Sequence, residues 1–448
     1  MLLTLLFVVV GIALILLSSA TAIPLLGAIG VAVLIAAWFT RRRSPARWPL
    51  LRAVGGVLVG TTGAILVVGV GFLTLRSPPP APDAFYAAPS APVRPGTLLR
   101  VEPFSRVVPA NTRAWRILYA TTRNDNVPAV ASAIVLAPAD ASADPRPVIA
   151  WTHGTTGVAS GCAPSVLPAP FPFDATLPAL ERLIAEKWIP VGTDYVGLGT
   201  AGGHPYLIGE PEGRSALDSI RAVGQLRDVR TDGRTVVWGH SQGGHAALWT
   251  GTLAAHYAPD VNVVGVAALA PATEIGALVD AAQHTPVGKI MASFVMAAYS
   301  GTYVDVRVED YVGPQARARS MASRCLSGAG GLLSVLTALT MERDFFVRPP
   351  TEGPLGRRFE ENVPRGAIPV PLLIAQGLAD DLVLPAVQER FVRTRCAAGQ
   401  SLEYRTYAGH DHVGLVGGDS PLAADLVDWT KNRLSGVAIE GGCRFVAR

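Results

Sequence analysis

The most constraining feature of the sequence is a serine between two glycines, in Gly239-His240-Ser241-Gln242-Gly243. A short apolar run precedes the motif and a helix-compatible segment follows it. A strand that turns sharply into a helix at this serine needs glycine on both sides, because a Cβ would clash where the backbone folds back. The Ser241 hydroxyl would then lie at a helix N-terminus, where the helix dipole favours nearby negative charge. A glycine-rich turn is the simpler alternative, but the flanking patterns favour a catalytic nucleophile.

A serine nucleophile needs a base and a carboxylate that orients the base. The buried strand predicted over 370–376 ends at Gly377, and Asp380 follows three residues later. We predict that Asp380 is this carboxylate. Asp381 is the adjacent alternative, which the Gly-x-x-Asp-x-x-Val spacing disfavours.

A histidine in a loop after the last strand suits the role of the base. The strand predicted over 401–407 leads into Ala408-Gly409-His410-Asp411-His412. The spacing from the preceding tyrosine and glycine favours His412, and His410 is the alternative. Two histidines around an aspartate are also compatible with a metal site, but no third ligand is spaced nearby. We therefore predict neither a metal nor another cofactor.

The strand predicted over 147–152 leads into the loop His153-Gly154-Thr155-Thr156-Gly157. Acyl transfer places negative charge on a carbonyl oxygen, so the site needs hydrogen-bond donors fixed in advance. We predict that the backbone N–H groups of Thr155 and Gln242 form this oxyanion hole, with Thr156 as the alternative in the loop. Three nearby histidines are interpreted as backbone-bonding or packing groups: His153, His240 and His245.

With these motifs, residues from about 84 to 434 resemble the secretory lipase family of α/β-hydrolases, in particular its lipase A-like members. The resemblance implies an α/β-hydrolase fold and ester hydrolysis through an acyl-enzyme on Ser241. Val196 departs from the family, whose members often carry an acidic residue there. Four further segments carry the resemblance: Asp83-Ala84-Phe85-Tyr86, Cys162-Ala163-Pro164-Ser165, Asp194-Tyr195-Val196-Gly197-Leu198-Gly199 and His204-Pro205-Tyr206-Leu207-Ile208-Gly209.

Short apolar runs alternate with helical patterns, which is typical of a mostly parallel sheet covered by helices on both faces. The pattern predicts eight strands, at 116–121, 131–137, 147–152, 189–193, 235–239, 262–269, 370–376 and 401–407. It also predicts helices at 178–187, 215–226, 243–256, 385–397 and 421–434.

The interval at about 271–365, between the sixth and seventh predicted strands, is predicted to be a helical cap over the active site. Two apolar runs in it, 290–296 and 331–339, are compatible with buried core or with an acyl-binding tunnel. Buried core is the commoner origin of such runs.

Residues 1–76 are predicted to be a membrane anchor. Residues 1–40 have no charged side chain, and one helix that crosses a bilayer needs only about 20 residues. Three transmembrane helices are therefore predicted, at 2–18, 23–39 and 53–75.

The orientation of this anchor follows from the segment 41–52, which has five arginines and no acidic residue. The positive-inside rule places this segment in the cytoplasm, so the third helix leads to a catalytic domain on the extracytoplasmic side. A signal peptide cleaved after Ala20-Thr21-Ala22 is the alternative for the first helix, although it lacks a positively charged start. Both versions place the hydrolase domain outside the cytoplasm.

The segment 77–98 is predicted to be a semi-rigid linker, because it has seven prolines within residues 77–96. The hydrolase domain would then occupy 99–448. The chain has 38 basic and 34 acidic residues, but six arginines and no acid lie in residues 1–76. The remaining 32 basic and 34 acidic residues give no argument for nucleic-acid binding.

All four cysteines lie in the part predicted to be outside the cytoplasm, so two disulfides are expected. Four cysteines allow three pairings, and free buried thiols are the alternative. The family resemblance favours the pairs Cys162–Cys325 and Cys396–Cys443.

The sequence therefore predicts a multi-pass membrane protein with an extracytoplasmic serine hydrolase domain that cleaves lipid or other acyl esters. One alternative is an acyltransferase that uses the same three residues on a cell-envelope acceptor. The other is a membrane-anchored binding protein that keeps the fold without the chemistry.

Overall fold

The structure is a computed structural model that describes residues 79–89, 91, 93–106, 108–140, 144–168, 177–313, 315–439 and 441–448. The membrane helices predicted at 2–18, 23–39 and 53–75 lie outside these ranges. Within the ranges, no helix has both the length and the apolar character needed to cross a membrane. Apart from residues 327–333, the fold described below belongs to one compact unit, which comprises residues 79–326 and 334–448.

A sheet of ten strands forms the centre of the described chain. The strands are β1 (Leu98–Pro103), β2 (Thr112–Thr122), β3 (Pro128–Pro138), β4 (Arg146–Thr152), β5 (Ile189–Thr193), β6 (Thr231–His240), β7 (Asn262–Leu269), β8 (Leu372–Gly377), β9 (Leu402–Tyr407) and β10 (Cys443–Ala447). Their order across the sheet is β1-β2-β3-β5-β4-β6-β7-β8-β9-β10. The pairs among β1, β2, β3 and β5 are antiparallel, and all other pairs are parallel. The predicted mostly parallel sheet is confirmed.

The predicted number of eight strands is wrong, since the described residues form ten. The eight predicted strands correspond to β2 through β9, and the two additional strands, β1 and β10, lie at the edges of the sheet. Edge strands are partly exposed, as Phe445 of β10 is at 47%, so they lack the continuous apolar run of a buried strand. Pairing with β9 and the disulfide from Cys443 to Cys396 hold β10 in place.

The described α-helices are α1 (Leu180–Ala185), α2 (Gly209–Val223), α3 (Gln242–Tyr257), α4 (Ile275–Ala282), α5 (Pro286–Thr302), α6 (Gln315–Ala322), α7 (Gly328–Leu339), α8 (Gly353–Glu361), α9 (Pro385–Ala397) and α10 (Leu422–Leu434). The five predicted helices correspond to α1, α2, α3, α9 and α10. Helix α2 begins at Gly209 rather than at the predicted residue 215. Its first turn contains Pro211 between two glutamates, which are favourable residues for a helix start.

Helices cover both faces of the sheet. Helices α2, α3 and α9 contribute to the hydrophobic cluster on one face, and α1 and α10 contribute to the cluster on the other. In β6, Val237 faces the first cluster, whereas Val236 and Trp238 face the second. Both faces of this strand are therefore apolar, as expected for a central parallel strand.

The chain between β7 and β8 contains helices α4 to α8, which agrees with the predicted helical insertion. The apolar run at 290–296 lies in α5, and its Phe294 and Met296 are buried in a hydrophobic cluster formed mainly by the insertion. The run at 331–339 is less buried, since Ala338 is inside but Leu336 and Leu339 are exposed. The core interpretation thus holds for the first run and only partly for the second.

Both predicted disulfides are confirmed. Cys162 is bonded to Cys325, which lies in the insertion, and Cys396 in α9 is bonded to Cys443 in β10. No cysteine remains free among the four, all of which are described.

Part of the segment predicted as a linker packs against the hydrolase domain. Phe85 and Tyr86 are buried in a cluster that also contains Cys162, and the Tyr86 hydroxyl lies 2.9 Å from the Ser165 hydroxyl. Two large aromatic side chains give this segment a hydrophobic attachment that its proline content does not reveal.

Candidate active site

Strand β6 ends at His240 and helix α3 begins at Gln242, so Ser241 occupies the turn between them. Its backbone has φ 59° and ψ −119°, a region that non-glycine residues rarely adopt. A Cβ on Gly239 would overlap the carbonyl of Gly243, and a Cβ on Gly243 would overlap the carbonyl of Thr152. Both glycines are therefore required by close backbone approach, as the sequence motif predicted.

The end of β7 fixes the backbone of this turn. The Ser241 N–H donates to the Leu269 carbonyl at 2.9 Å, and the Ser241 carbonyl accepts from the Ala272 N–H at 3.2 Å. The Ser241 side chain makes no capping hydrogen bond to α3. Its hydroxyl is thus held on a rigid turn without being used to satisfy the helix.

Asp380 and His412 meet at the ends of β8 and β9. His412 Nδ1 lies 2.8 Å from Asp380 Oδ2, which also accepts from the Gln376 side chain at 3.1 Å. Asp380 Oδ1 accepts from the N–H groups of Leu382 and Val383 at 2.9 and 2.8 Å. The carboxyl group is buried and has four hydrogen-bond donors, so its orientation toward His412 is tightly fixed.

The two alternatives for these positions do not take part in this contact. Asp381 is exposed. His410 Nδ1 lies 3.0 Å from the Ala408 carbonyl in its own loop. The structure therefore pairs the two residues that the spacing favoured, Asp380 and His412.

His240 connects the base to the nucleophile's strand. Its ring centre lies 4.6 Å from that of His412, and its Nε2 donates to the His412 carbonyl at 2.9 Å. Burial holds the pKa of His240 well below its ordinary value, so this ring is neutral. In the described part of the chain no hydrogen bond joins the Ser241 hydroxyl to the His412 imidazole. Such contacts often tighten only when substrate binds.

The loop after β4 lies beside the nucleophile. A Cβ added to Gly154 would be 3.8 Å from the Ser241 Cβ. His153 Nδ1 lies 2.6 Å from the Gly154 carbonyl, in agreement with its interpretation as a backbone-bonding residue. Within the described residues, the N–H groups of Thr155 and Gln242 have no backbone acceptor. Neither N–H group is therefore used in the turns, loops and caps around the site.

The side chain of Thr155 connects this loop to the insertion. Its hydroxyl shares a hydrogen bond of 2.8 Å with the Tyr206 hydroxyl. That hydroxyl in turn lies 3.5 Å from the sulfur of Met291 in α5. Met291 is only partly buried and packs at the edge of the insertion's hydrophobic cluster, so α5 reaches the active site through this contact.

A second connection runs through the backbone. The Leu326 N–H donates to the Thr156 carbonyl at 2.9 Å, and Gly157 pairs with Cys325 in an antiparallel bridge. The disulfide from Cys325 to Cys162 closes the same region covalently. The predicted oxyanion loop is thus attached to the insertion at three points.

A buried polar cluster that the sequence analysis did not predict adjoins the turn at Ser241, which is called the elbow from here on. Gln242 Nε2 donates to Glu212 Oε1 at 2.7 Å and to His204 Nε2 at 2.8 Å. Glu212 Oε2 lies 3.2 Å from His245 Nδ1. Burial raises the pKa of Glu212 and lowers that of His204 to about 3.

Two signals in the sequence point to this cluster. Glu212 lies in the first turn of α2, and the pair of glutamates around Pro211 marks a helix start upstream of the predicted one. His204 belongs to one of the segments that carry the family resemblance, without an assigned role. In the described residues, no group of three or more histidine, cysteine or acidic side chains is placed to hold a metal ion.

Comparison with known proteins agrees with the fold and the motifs. The family model described as secretory lipase matches residues 173–442. The chain belongs to the secretory lipase family.

Two relatives of similar sequence identity to this chain have names that state different activities. A "Secreted triacylglycerol lipase" of Malassezia globosa is 27% identical over 396 residues, which cover 82% of this chain and 84% of that protein. A "Probable inactive lipase" of Mycobacterium tuberculosis is 26% identical over 384 residues, which cover 80% of this chain and 83% of that protein. Membership of the secretory lipase family therefore does not by itself establish catalysis.

Among solved structures, Candida antarctica lipase A in its closed state is similar with a TM-score of 0.68 and 20% sequence identity. The match covers 83% of this chain and 90% of that chain. It shows a shared α/β-hydrolase fold.

Proposed function

We propose that this secretory lipase family member is a serine ester hydrolase with Ser241 as nucleophile, His412 as base and Asp380 as the orienting carboxylate. The observation that carries the proposal is the 2.8 Å contact between His412 Nδ1 and Asp380 next to a serine on a strained elbow. The four hydrogen bonds to Asp380 give the imidazole one orientation, which a base in this role requires.

In the proposed reaction, His412 takes the Ser241 proton while the serine oxygen attacks the ester carbonyl. The N–H groups of Thr155 and Gln242 would stabilise the resulting oxyanion, and Asp380 would stabilise the imidazolium. His412 then gives the proton to the leaving alcohol, and an acyl-enzyme remains. Water, activated by the same histidine, releases the acid.

Lipid or other acyl esters are the proposed substrates. Family membership and a relative named as a triacylglycerol lipase support this class. The thioether of Met291, which is only partly buried next to Tyr206, is the contact that we propose for the acyl chain.

We test the chemistry with the full chain in detergent, using p-nitrophenyl esters from acetyl to long acyl chains. Ser241→Ala should lower kcat by about 10⁴-fold or more, whereas Ser105→Ala, at an exposed serine, should leave it unchanged. An unchanged rate in Ser241→Ala would rule out this nucleophile. No turnover and no fluorophosphonate labelling by the folded parent would favour a binding protein, and ester exchange with an added alcohol that outpaces hydrolysis would favour an acyltransferase.

We also propose that residues 1–76 anchor the enzyme in the cell membrane by three helices, with the hydrolase domain outside the cytoplasm. The arginine-rich segment 41–52 and the two disulfides of the domain support this orientation. Alkaline phosphatase fused after Arg47 should be inactive and the same reporter fused after Ala84 should be active in a bacterial host. The reverse pattern would overturn the orientation, and release of the full chain into the medium would overturn the anchor.

A further inference from the structure

We infer that Glu212 is a positioning residue that sets both halves of the oxyanion hole at once. This inference rests on the proposed function, because it assigns the support of the donors at Thr155 and Gln242. Glu212 is fully buried and lies on α2, which carries none of the proposed catalytic residues.

The first connection from Glu212 leads to Gln242. Its Oε1 accepts from the Gln242 side chain at 2.7 Å. Gln242 is the first residue of α3, so the direction of its side chain and that of its free N–H are set by the same few backbone angles. His204 accepts the other hydrogen of the same amide group at 2.8 Å. The side chain of Gln242 is thus held by two buried acceptors, and its backbone donor is held with it.

The second connection leads to Thr155. The same Oε1 atom of Glu212 accepts from the Leu207 N–H at 3.1 Å. Leu207 has a positive φ of 55°, which is unfavourable for a side chain of this size and needs local support. Leu207 directly follows Tyr206, whose hydroxyl bonds the Thr155 side chain at 2.8 Å. One carboxylate oxygen therefore bonds the side chain of Gln242, one predicted donor, and the residue that follows Tyr206, which bonds the other donor residue, Thr155.

Charge explains why a carboxylate suits this position. Oε1 accepts from two separate donors, Leu207 and Gln242, while Oε2 lies 3.2 Å from His245 Nδ1. A glutamine keeps the volume, and its oxygen can take the Oε1 position while its NH₂ group faces His245. A neutral amide oxygen is a weaker acceptor than a carboxylate oxygen, so both arms of the support are weakened.

Asp218 is a matched control on the same helix. It is also fully buried, and it accepts from the Thr121 hydroxyl at 2.8 Å and the Tyr257 hydroxyl at 2.7 Å. It forms an ion pair with Arg221 at 3.0 Å. None of these partners contacts the proposed active site, so Asp218 shares the burial and the helix of Glu212 but not its connections.

The experiment compares Glu212→Gln with Asp218→Asn in the full chain, using one p-nitrophenyl ester, and records kcat, KM and the thermal midpoint. Glu212→Gln should lower kcat about 10-fold with KM changed less than about 2-fold, since a displaced donor weakens the transition state more than the bound ester. Asp218→Asn should lower the thermal midpoint by a similar amount and keep kcat within about 2-fold.

A double-mutant cycle with Gln242→Ala, which removes the side chain but keeps the backbone N–H, tests the path. If Glu212 acts through Gln242, the losses in kcat from the two changes should not add. Equal kcat losses in Glu212→Gln and Asp218→Asn, or an unchanged kcat in Glu212→Gln, would overturn the inference while ester hydrolysis stands. An inactive parent would instead overturn the proposed function, and the inference would fall with it.

Discussion

The two halves of the proposed active site are supported in different ways. Asp380 and His412 lie in turns at the ends of adjacent strands β8 and β9, and the partners of Asp380 come from the same turn and from Gln376 in β8. Thr155 instead depends on Tyr206 and on attachments to the insertion. The acid and base therefore take their geometry from the sheet, whereas the oxyanion loop takes it from chain outside the sheet. Changes at the contacts that hold the oxyanion loop should alter the rate without removing any hydrogen bond of the acid–base pair.

The largest expected effect tests the sheet-supported half. Asp380→Asn keeps an oxygen for the N–H groups of Leu382 and Val383 but turns an NH₂ group toward His412, which favours the wrong imidazole tautomer. We expect kcat to fall about 10³- to 10⁴-fold. The neighbouring exposed change Asp381→Asn should leave kcat unchanged in the same ester assay. A comparable loss in both variants would contradict the assignment of the acid.

The two disulfides provide a second test of this difference in support, because only the one between Cys162 and Cys325 packs against the oxyanion loop. Replacing Cys162 and Cys325 by alanine should lower kcat about 10-fold, whereas replacing Cys396 and Cys443 should leave kcat within about 2-fold. Both changes should destabilise the domain by about 2–5 kcal/mol.

Denaturant unfolding provides the second measurement for this pair of variants. The two disulfides span 163 and 47 residues, so the first should contribute about 1 kcal/mol more in a chain-entropy account. If both double variants lose kcat in proportion to stability, the first disulfide has no separate role at the active site.

A smaller effect on kcat is expected when the hydrogen bond between Thr155 and Tyr206 is removed. Tyr206→Phe removes the hydroxyl that bonds Thr155 and should lower kcat about 3- to 5-fold with a stability loss of about 1 kcal/mol. The control Tyr311→Phe, in the insertion, removes a hydroxyl that donates to the Glu352 carbonyl and accepts from the Leu355 N–H. It should show the stability loss alone, and a fall in kcat for this control would mean that general loosening explains both.

Acid should lower the free energy of unfolding through His153, which lies in the oxyanion loop. No change from this residue is expected near neutral pH. Burial lowers the pKa of His153 to about 4 from its ordinary value of 6.5. Between these values the unfolded chain binds a proton that the folded chain does not, so the free energy of unfolding decreases as the pH falls. The loss from this group should reach about 2 kcal/mol at pH 5.

The measurement is denaturant unfolding of the parent and of His153→Gln at pH 7 and pH 5. The parent should lose about 2 kcal/mol more than the variant between these conditions. Glu212 has a raised pKa in both proteins, so its contribution cancels in the difference. Burial is the largest cause of the lowered pKa of His204, and the variant leaves that burial in place. Equal losses in the two proteins would mean that His153 is not held neutral by burial.

The sequence predicts best what short segments determine. Five consecutive residues determine the elbow at Ser241, because the close approach of the backbone admits only glycine on its two sides. The contact between Asp380 and His412 follows from two loops at the carboxyl ends of predicted strands. These local patterns also predict the central strands and the five helices that cover the sheet.

Features that depend on distant partners were not predictable in this way. Glu212 and Tyr206 acquire their contacts only when α2, α3 and the loop after β4 are packed together. The edge strands β1 and β10 have weak apolar patterns, and pairing with the finished sheet stabilises them. Which of Thr155 and Thr156 supplies the N–H group to the oxyanion also depends on the geometry of the loop. Two adjacent threonines look alike in the sequence, so the sequence does not distinguish them.

The two disulfides also divide the catalytic residues among covalent rings. The ring closed by Cys162 and Cys325 contains Ser241, and the ring closed by Cys396 and Cys443 contains His412. Asp380 lies in the stretch 326–395 between them. A protease that cuts once inside either ring leaves every piece linked, whereas a single cut in 326–395 separates the nucleophile from the base. Whether a single proteolytic cut parts the nucleophile from the base is therefore set by how well the stretch 326–395 stays folded.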